Sequence, residues 1–164
     1  MTDAVSDTSH PIDYAKAFAL LRDENYEDLL ESVFGRFSHS RVFPIEGSST
    51  YECGLGCFCG THGGNHQGQD FGTQGATPPA VSIADGTVVA AGWDSGYGNL
   101  IAIDHGDGTV SRYAHLNEIF VSVGQPVAQG DQIGLVGSTG FAEGNHLHFE
   151  IIIDGITQNP LVYL

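Results

Sequence analysis

Glycine divides this chain in two. Of 23 glycines in 164 residues, only Gly35 lies within residues 1–40, and the other 22 lie beyond. A density about twice ordinary usage weakens helix interiors and suits tight turns that need positive φ. Residues 41–164 are therefore expected to form short strands joined by turns, not a helical bundle. The strand signals agree from residue 80 onward. Thr87–Ala91 runs up to Gly92. Leu100–Ile103 is followed by the turn His105-Gly-Asp-Gly108 and a strand over Thr109–His115. Ile119–Val123, Gln132–Val136 and Leu147–Ile153 read as further strands. Turn signals recur about every 8–12 residues, as in an antiparallel barrel or sandwich. The expected class is mainly β: a barrel-like antiparallel sheet preceded by a short helical segment.

That segment carries a different pattern. Ile12, Ala15, Phe18, Ala19 and Arg22 follow i, i+3, i+4 spacing behind Pro11, which suits a first helical turn. Glu24 to Phe34 places Tyr26, Leu29, Leu30, Val33 and Phe34 on one side, with acidic residues at its start, where the helix dipole favours them. Two regions follow: an N-terminal helical segment, 1–40, and a β domain, 41–164. The segment reads as a helical pair packed on the domain, or as a pro-segment that covers a site there.

The charge balance removes several functions. Five Lys and Arg stand against 20 Asp and Glu, a net charge of −15. So acidic a chain repels phosphate backbones and anionic lipid, so no nucleic acid is expected as a partner. No apolar run approaches the ~20 residues that span a bilayer, and no membrane insertion is expected. Met1-Thr-Asp3 opens neither a basic nor an apolar stretch, so no signal peptide is visible. Val121–Ile133 resembles the hammerhead hairpin of biotinyl and lipoyl carrier domains. The only lysine, Lys16, lies far from that hairpin, which excludes a covalent carrier role. A monomer is expected.

The histidines carry the chemistry. There are eight, and several fall into short constellations. His66-Gln-Gly-Gln-Asp70 is a His-x-x-x-Asp pair. His146-Leu-His148 lies in a strand pattern, where alternate side chains share a face. Two imidazoles then stand side by side while Leu147, Phe149 and Ile151 turn to a core. His115 ends another strand. Catalytic zinc takes three protein ligands and keeps one position open for water, and imidazoles with one carboxylate suit it. His66, Asp70 and one of the strand pair supply that set. The remaining member, with His115, is placed to take a proton from water at the open position. The residues alone do not decide which of His146 and His148 binds metal.

These constellations sit among further segments: His66-Gln-Gly-Gln-Asp70-Phe71, Ala84-Asp-Gly-Thr-Val88, Gly96-Tyr-Gly-Asn99, Ile103-Asp-His-Gly-Asp-Gly108, Tyr113-Ala-His-Leu116, Val123-Gly-Gln-Pro-Val127, Gly137-Ser-Thr-Gly140, His146-Leu-His-Phe-Glu150 and Asn159-Pro-Leu-Val-Tyr163. In that order they resemble the lysostaphin/LytM-type zinc metalloendopeptidases. The resemblance implies a mostly antiparallel β domain with a zinc groove between loops. It implies His66, Asp70 and His148 as ligands of one Zn2+ ion, and His115 and His146 as catalytic histidines. The implied substrate is the peptide part of bacterial peptidoglycan, cross-bridge or stem, and the implied place of action is the cell wall, reached outside the cytoplasm or by phage release. The competing reading is a non-catalytic LytM-like regulator of cell-wall hydrolases. Such regulators typically lack a metal ligand, whereas every implied residue is present here.

Two places depart from that pattern. Gly72–Pro79 is one residue longer than the usual loop. A Tyr that family members place several residues before the first His ligand is missing: Phe58, Thr61 and His62 are nearest, Tyr51 is distant, and His62 is the residue that could substitute. Cys53, Cys57 and Cys59 fit a local disulfide with one free thiol, three reduced thiols, or a second metal site with His62. His105 reads as a structural turn residue, and His10 and His39 as solvated. Asn99 and Arg112 read as groove-lining or strand-end polarity. Trp93 with Tyr97 reads as core and loop packing.

Overall fold

The structure is a computed structural model, and it describes residues 41–46, 66–106 and 108–164. The helices expected in 1–40, with His10 and His39, lie outside the described residues. So do Tyr51, Phe58, Thr61, His62 and the cysteines Cys53, Cys57 and Cys59.

The regular structure of the described residues is almost wholly antiparallel strand. β1 (Gln69–Gly72), β2 (Pro79–Val81), β3 (Gly86–Asp94), β4 (Gly98–Asp104), β5 (Thr109–Ile119), β6 (Pro126–Val127), β7 (Gln132–Val136), β8 (His146–Ile153) and β9 (Ile156–Gln158) join one sheet, followed by a 3-10 turn at Pro160–Val162. Hydrogen-bonded order runs β1-β8-β5-β4-β3-β6. β7 bridges β5 and β2, and β9 extends from β8. No helix among the described residues is long and apolar enough to cross a membrane.

Alternation along β8 builds both the core and the site. Leu147, Phe149 and Ile151 are fully buried among Phe71, Ile101, Ile103, Tyr113, Leu116 and Ile133. Each such side chain contributes roughly 1.5–3 kcal/mol relative to exposure. His146, His148 and Glu150 occupy the alternate positions and are also buried. β8 lies between β1 and β5, and the register sets Asp70 opposite His148 and Arg112 opposite Glu150.

One expected strand is corrected. Ile119–Val123 is not a strand of its own, because β5 does not end at His115 but continues to Ile119. Asn99 pairs Leu116 and Ile101 pairs Tyr113, so Ala114 and His115 together face Leu100. This bulge interrupts the period of two while the ladder goes on. His115 sits in it with φ 61°, a conformation that costs a non-glycine residue free energy and is tolerated where the surroundings enforce it.

Candidate metal centre and catalytic cleft

β1, β5 and β8 bring the singled-out residues to one place. Asp70 lies on β1, His115 in the β5 bulge, and His146 and His148 on β8, while His66 precedes β1 by one turn of chain. One ligand atom each of His66, Asp70 and His148 lies within 4.8 Å of the others. His66 Nε2 is 3.1 Å and His148 Nδ1 2.9 Å from Asp70 Oδ1. Two imidazoles and one carboxylate form a donor set that could hold a divalent metal such as zinc. The backbone makes room for the His148 ring at Gly68, where a Cβ would come within 2.6 Å of it.

The other ring nitrogens fix how each histidine presents itself. A carbonyl oxygen can only accept, so a ring nitrogen facing one must carry the hydrogen. His115 Nδ1 donates to Thr139 O at 2.8 Å, and His146 Nδ1 donates to Gly144 O at 2.9 Å. Each is left with Nε2 as the nitrogen that can exchange a proton. The two rings stand 4.8 Å apart, and His146 Nε2 is 3.8 Å from Asp70 Oδ2. His148 is the reverse case: its Nε2 faces Glu150 Oε1 at 3.0 Å and its Nδ1 faces Asp70.

Burial and charge act together on these groups. Burial alone would raise the Asp70 carboxyl, but His148, His66 and His146 outweigh it and hold the pKa below the ordinary range. Burial would likewise raise Glu150, and hydrogen bonds from His148 and Tyr97 with the charge of Arg112 reverse that. Burial would lower His148, yet its two carboxylate partners raise it to about 9 in the metal-free protein. His115 is lowered, chiefly by burial, and so favours the neutral form.

The histidines and Asp70 open on a cleft of about 570 Å³, whose rim includes Tyr97 and Phe141. Its walls are tied together. Phe141 N donates to Gly96 O at 2.9 Å, and Asn99 N donates to Thr139 Oγ1 at 3.0 Å. Gly98, at φ +68°, lies so close to Thr139 that a Cβ would come within 2.4 Å of it. The Gly72–Pro79 loop docks beside His146, with Asn145 Nδ2 donating to Gly75 O at 2.9 Å.

Several readings change against this geometry. Trp93 is 67% exposed, so it is not core. Tyr97 forms cleft wall and donates to Glu150 Oε1 at 2.8 Å. Asn99 Nδ2 bonds Leu116 O and Asn117 O, fastening β4 to β5 instead of lining the cleft. Arg112 lies within β5 rather than at its end, and donates to Glu150 Oε2 at 2.8 Å. His105 Nδ1 donates to Asp85 O at 2.7 Å and its Nε2 is 2.8 Å from Ser111 Oγ, a structural arrangement. Sequence reasoning gave Glu150 no role. Its signal was a charged residue two positions beyond His148 in an otherwise apolar strand.

Comparison with known proteins adds a family match: the model of peptidase family M23 covers residues 64–160. The chain is 42% identical over 96 residues to the peptidoglycan DD-endopeptidase ShyA of Vibrio cholerae, covering 58% of this chain and 22% of ShyA. It is 41% identical over 102 residues to the glycyl-glycine endopeptidase ALE-1 of Staphylococcus capitis, covering 61% of this chain and 28% of ALE-1. The chain thus spans about a quarter of the length of these curated relatives. Among solved structures, the catalytic domain of the antimicrobial peptidase lysostaphin from Staphylococcus simulans superposes with TM-score 0.57 at 30% identity, covering 80% of this chain and 95% of that domain.

Proposed function

The chain belongs to peptidase family M23, and on that premise we propose that it is a zinc metalloendopeptidase hydrolysing peptide bonds of bacterial peptidoglycan, in the cross-bridge or the stem peptide. One observation carries the proposal. A His-Asp-His group meets, in a single cleft, two further imidazoles whose Nδ1 atoms are committed to backbone carbonyls. His66 Nε2, an Asp70 oxygen and His148 Nδ1 would hold the ion. Zinc bound there acidifies a water molecule and polarises the scissile carbonyl.

The chain's own residues move the protons. His115, kept neutral by burial, accepts a proton from the attacking water at Nε2. The proton then passes between His115 and His146, whose rings are 4.8 Å apart, to the leaving amine, which departs neutral. The tied cleft walls hold the substrate chain against this group, so that reaction needs little further ordering. The substrate class is supported by two relatives, one named a peptidoglycan DD-endopeptidase and the other a glycyl-glycine endopeptidase. Those names denote different bonds, so the choice between them falls to the loops at 94–97 and 138–145 that frame the cleft.

The test is metal removal. Protein stripped with a chelator should stop releasing peptides from purified cell walls and should recover when zinc is restored. Zinc-restored protein that releases none from any wall type overturns the proposal.

A further inference from the structure

On the reading that His148 is a metal ligand, we propose that Glu150 is a positioning residue for that ligand, with Arg112 and Tyr97 holding its carboxylate in place. Glu150 is fully buried. Its Oε1 accepts from Tyr97 Oη at 2.8 Å and from His148 Nε2 at 3.0 Å, and its Oε2 accepts from Arg112 Nη1 at 2.8 Å. A buried carboxylate with three charge-assisted or polar partners has little freedom to turn.

The placement follows from the strands. Residues two apart on β8 share a face, so Glu150 reaches the outer nitrogen of His148. Arg112 is the direct cross-strand partner of Glu150 on β5. Tyr97 arrives from the turn between β3 and β4, and its ring stands 5.6 Å from the His148 ring. The backbone at Gly68 also packs against the ring, since a Cβ there would come within 2.6 Å of His148 Cε1 and Nε2. The ring is therefore restrained by a close backbone and by a carboxylate.

The consequence is chemical. An imidazole that gives its Nε2 hydrogen to a carboxylate keeps a lone pair on Nδ1, and that nitrogen becomes the more basic ligand. Glu150 thus selects Nδ1 of His148, the atom 2.9 Å from Asp70, as the donor. A plain structural ion pair would explain Arg112 with Glu150 but not the third bond. Buried ion pairs are also poor stabilisers on their own account.

The experiment measures zinc affinity of the full chain by competition with a chromophoric chelator, alongside the visible spectrum of the cobalt-substituted protein. Glu150→Gln keeps the shape and removes the charge. It should weaken zinc by about 10- to 100-fold and alter the cobalt spectrum. Tyr97→Phe, which removes one bond and no charge, should produce a smaller loss in the same direction. It keeps the test readable if Glu150→Gln folds poorly. A purely structural role would lower the melting temperature and leave affinity and spectrum unchanged. Variants that bind zinc as the wild type does overturn this inference alone. Wild-type protein that binds no zinc overturns it together with the metallopeptidase reading.

Discussion

Histidine and tyrosine join hydrogen-bond networks in two places, built on the opposite faces of β5 to which Ser111 and Arg112 alternate. On the core face, His105 Nε2 is 2.8 Å from Ser111 Oγ, Ser111 Oγ is 3.2 Å from Tyr113 Oη, and Ile83 N donates to Tyr113 Oη at 3.0 Å. On the cleft face, His148 and Tyr97 share Oε1 of Glu150, and Arg112 takes Oε2. The first network joins an imidazole, two hydroxyls and a backbone amide, with Tyr113 fully buried. The second contains a carboxylate and a guanidinium, and one imidazole nitrogen in it faces Asp70 and the cleft. Similar side chains thus do different work. Where a network runs from the partly exposed imidazole of His105 to a phenol and a backbone amide inside the core, its expected role is in folding. Where a charge is held beside an open space, the role expected of it is to position a ligand-binding group.

Substitutions can break that contrast, beginning with the largest effect. His115→Ala or His146→Ala should cut turnover by about 10²- to 10⁴-fold while zinc, measured by metal analysis, stays bound. His148→Ala should lose the metal. Gly68→Ala is a backbone version of the same test. Its Cβ would meet the His148 ring at 2.6 Å, so zinc should weaken by about tenfold or more in chelator competition. On the core face, Tyr113→Phe leaves Ile83 N without its phenol acceptor. Denaturant unfolding should show a loss of about 1–3 kcal/mol, with zinc affinity unchanged. An equal loss of zinc in this variant would erase the distinction between the networks.

The smallest effect is a pH dependence. Burial pushes the Tyr113 hydroxyl up to about 12 from its ordinary 10. Its folded-state pKa is raised, so its stabilising contribution is complete below pH 10 and is lost as pH rises towards 12. Stability measured across that window should fall for the wild type and fall less steeply for Tyr113→Phe.

Part of this was legible in the sequence. The β8 alternation announced itself because both faces are buried by residues of opposite character, Leu147, Phe149 and Ile151 against His146 and His148. Gln132–Val136 stands as read. The short strands β1, β2, β6 and β9, of four, three, two and three residues, were not read. Their length gives too few periods to register, and Pro79 and Pro126 argue against a strand. The β5 bulge misled because the ladder survives where the alternation fails. Glu150, Arg112 and Tyr97 come from three different elements, and only the register of β5 with β8 and the turn after β3 bring them to one ring. Histidine spacing, by contrast, needs only one strand to show its meaning.

The most direct measurement is mass spectrometry of defined muropeptides and oligoglycine after incubation with the zinc-loaded chain, with a His115→Ala sample beside it. The account predicts hydrolysis at one type of peptide bond by the wild-type protein and intact substrate with the variant. Intact substrates after incubation with zinc-loaded wild-type protein, or equal cleavage by the variant, would contradict it.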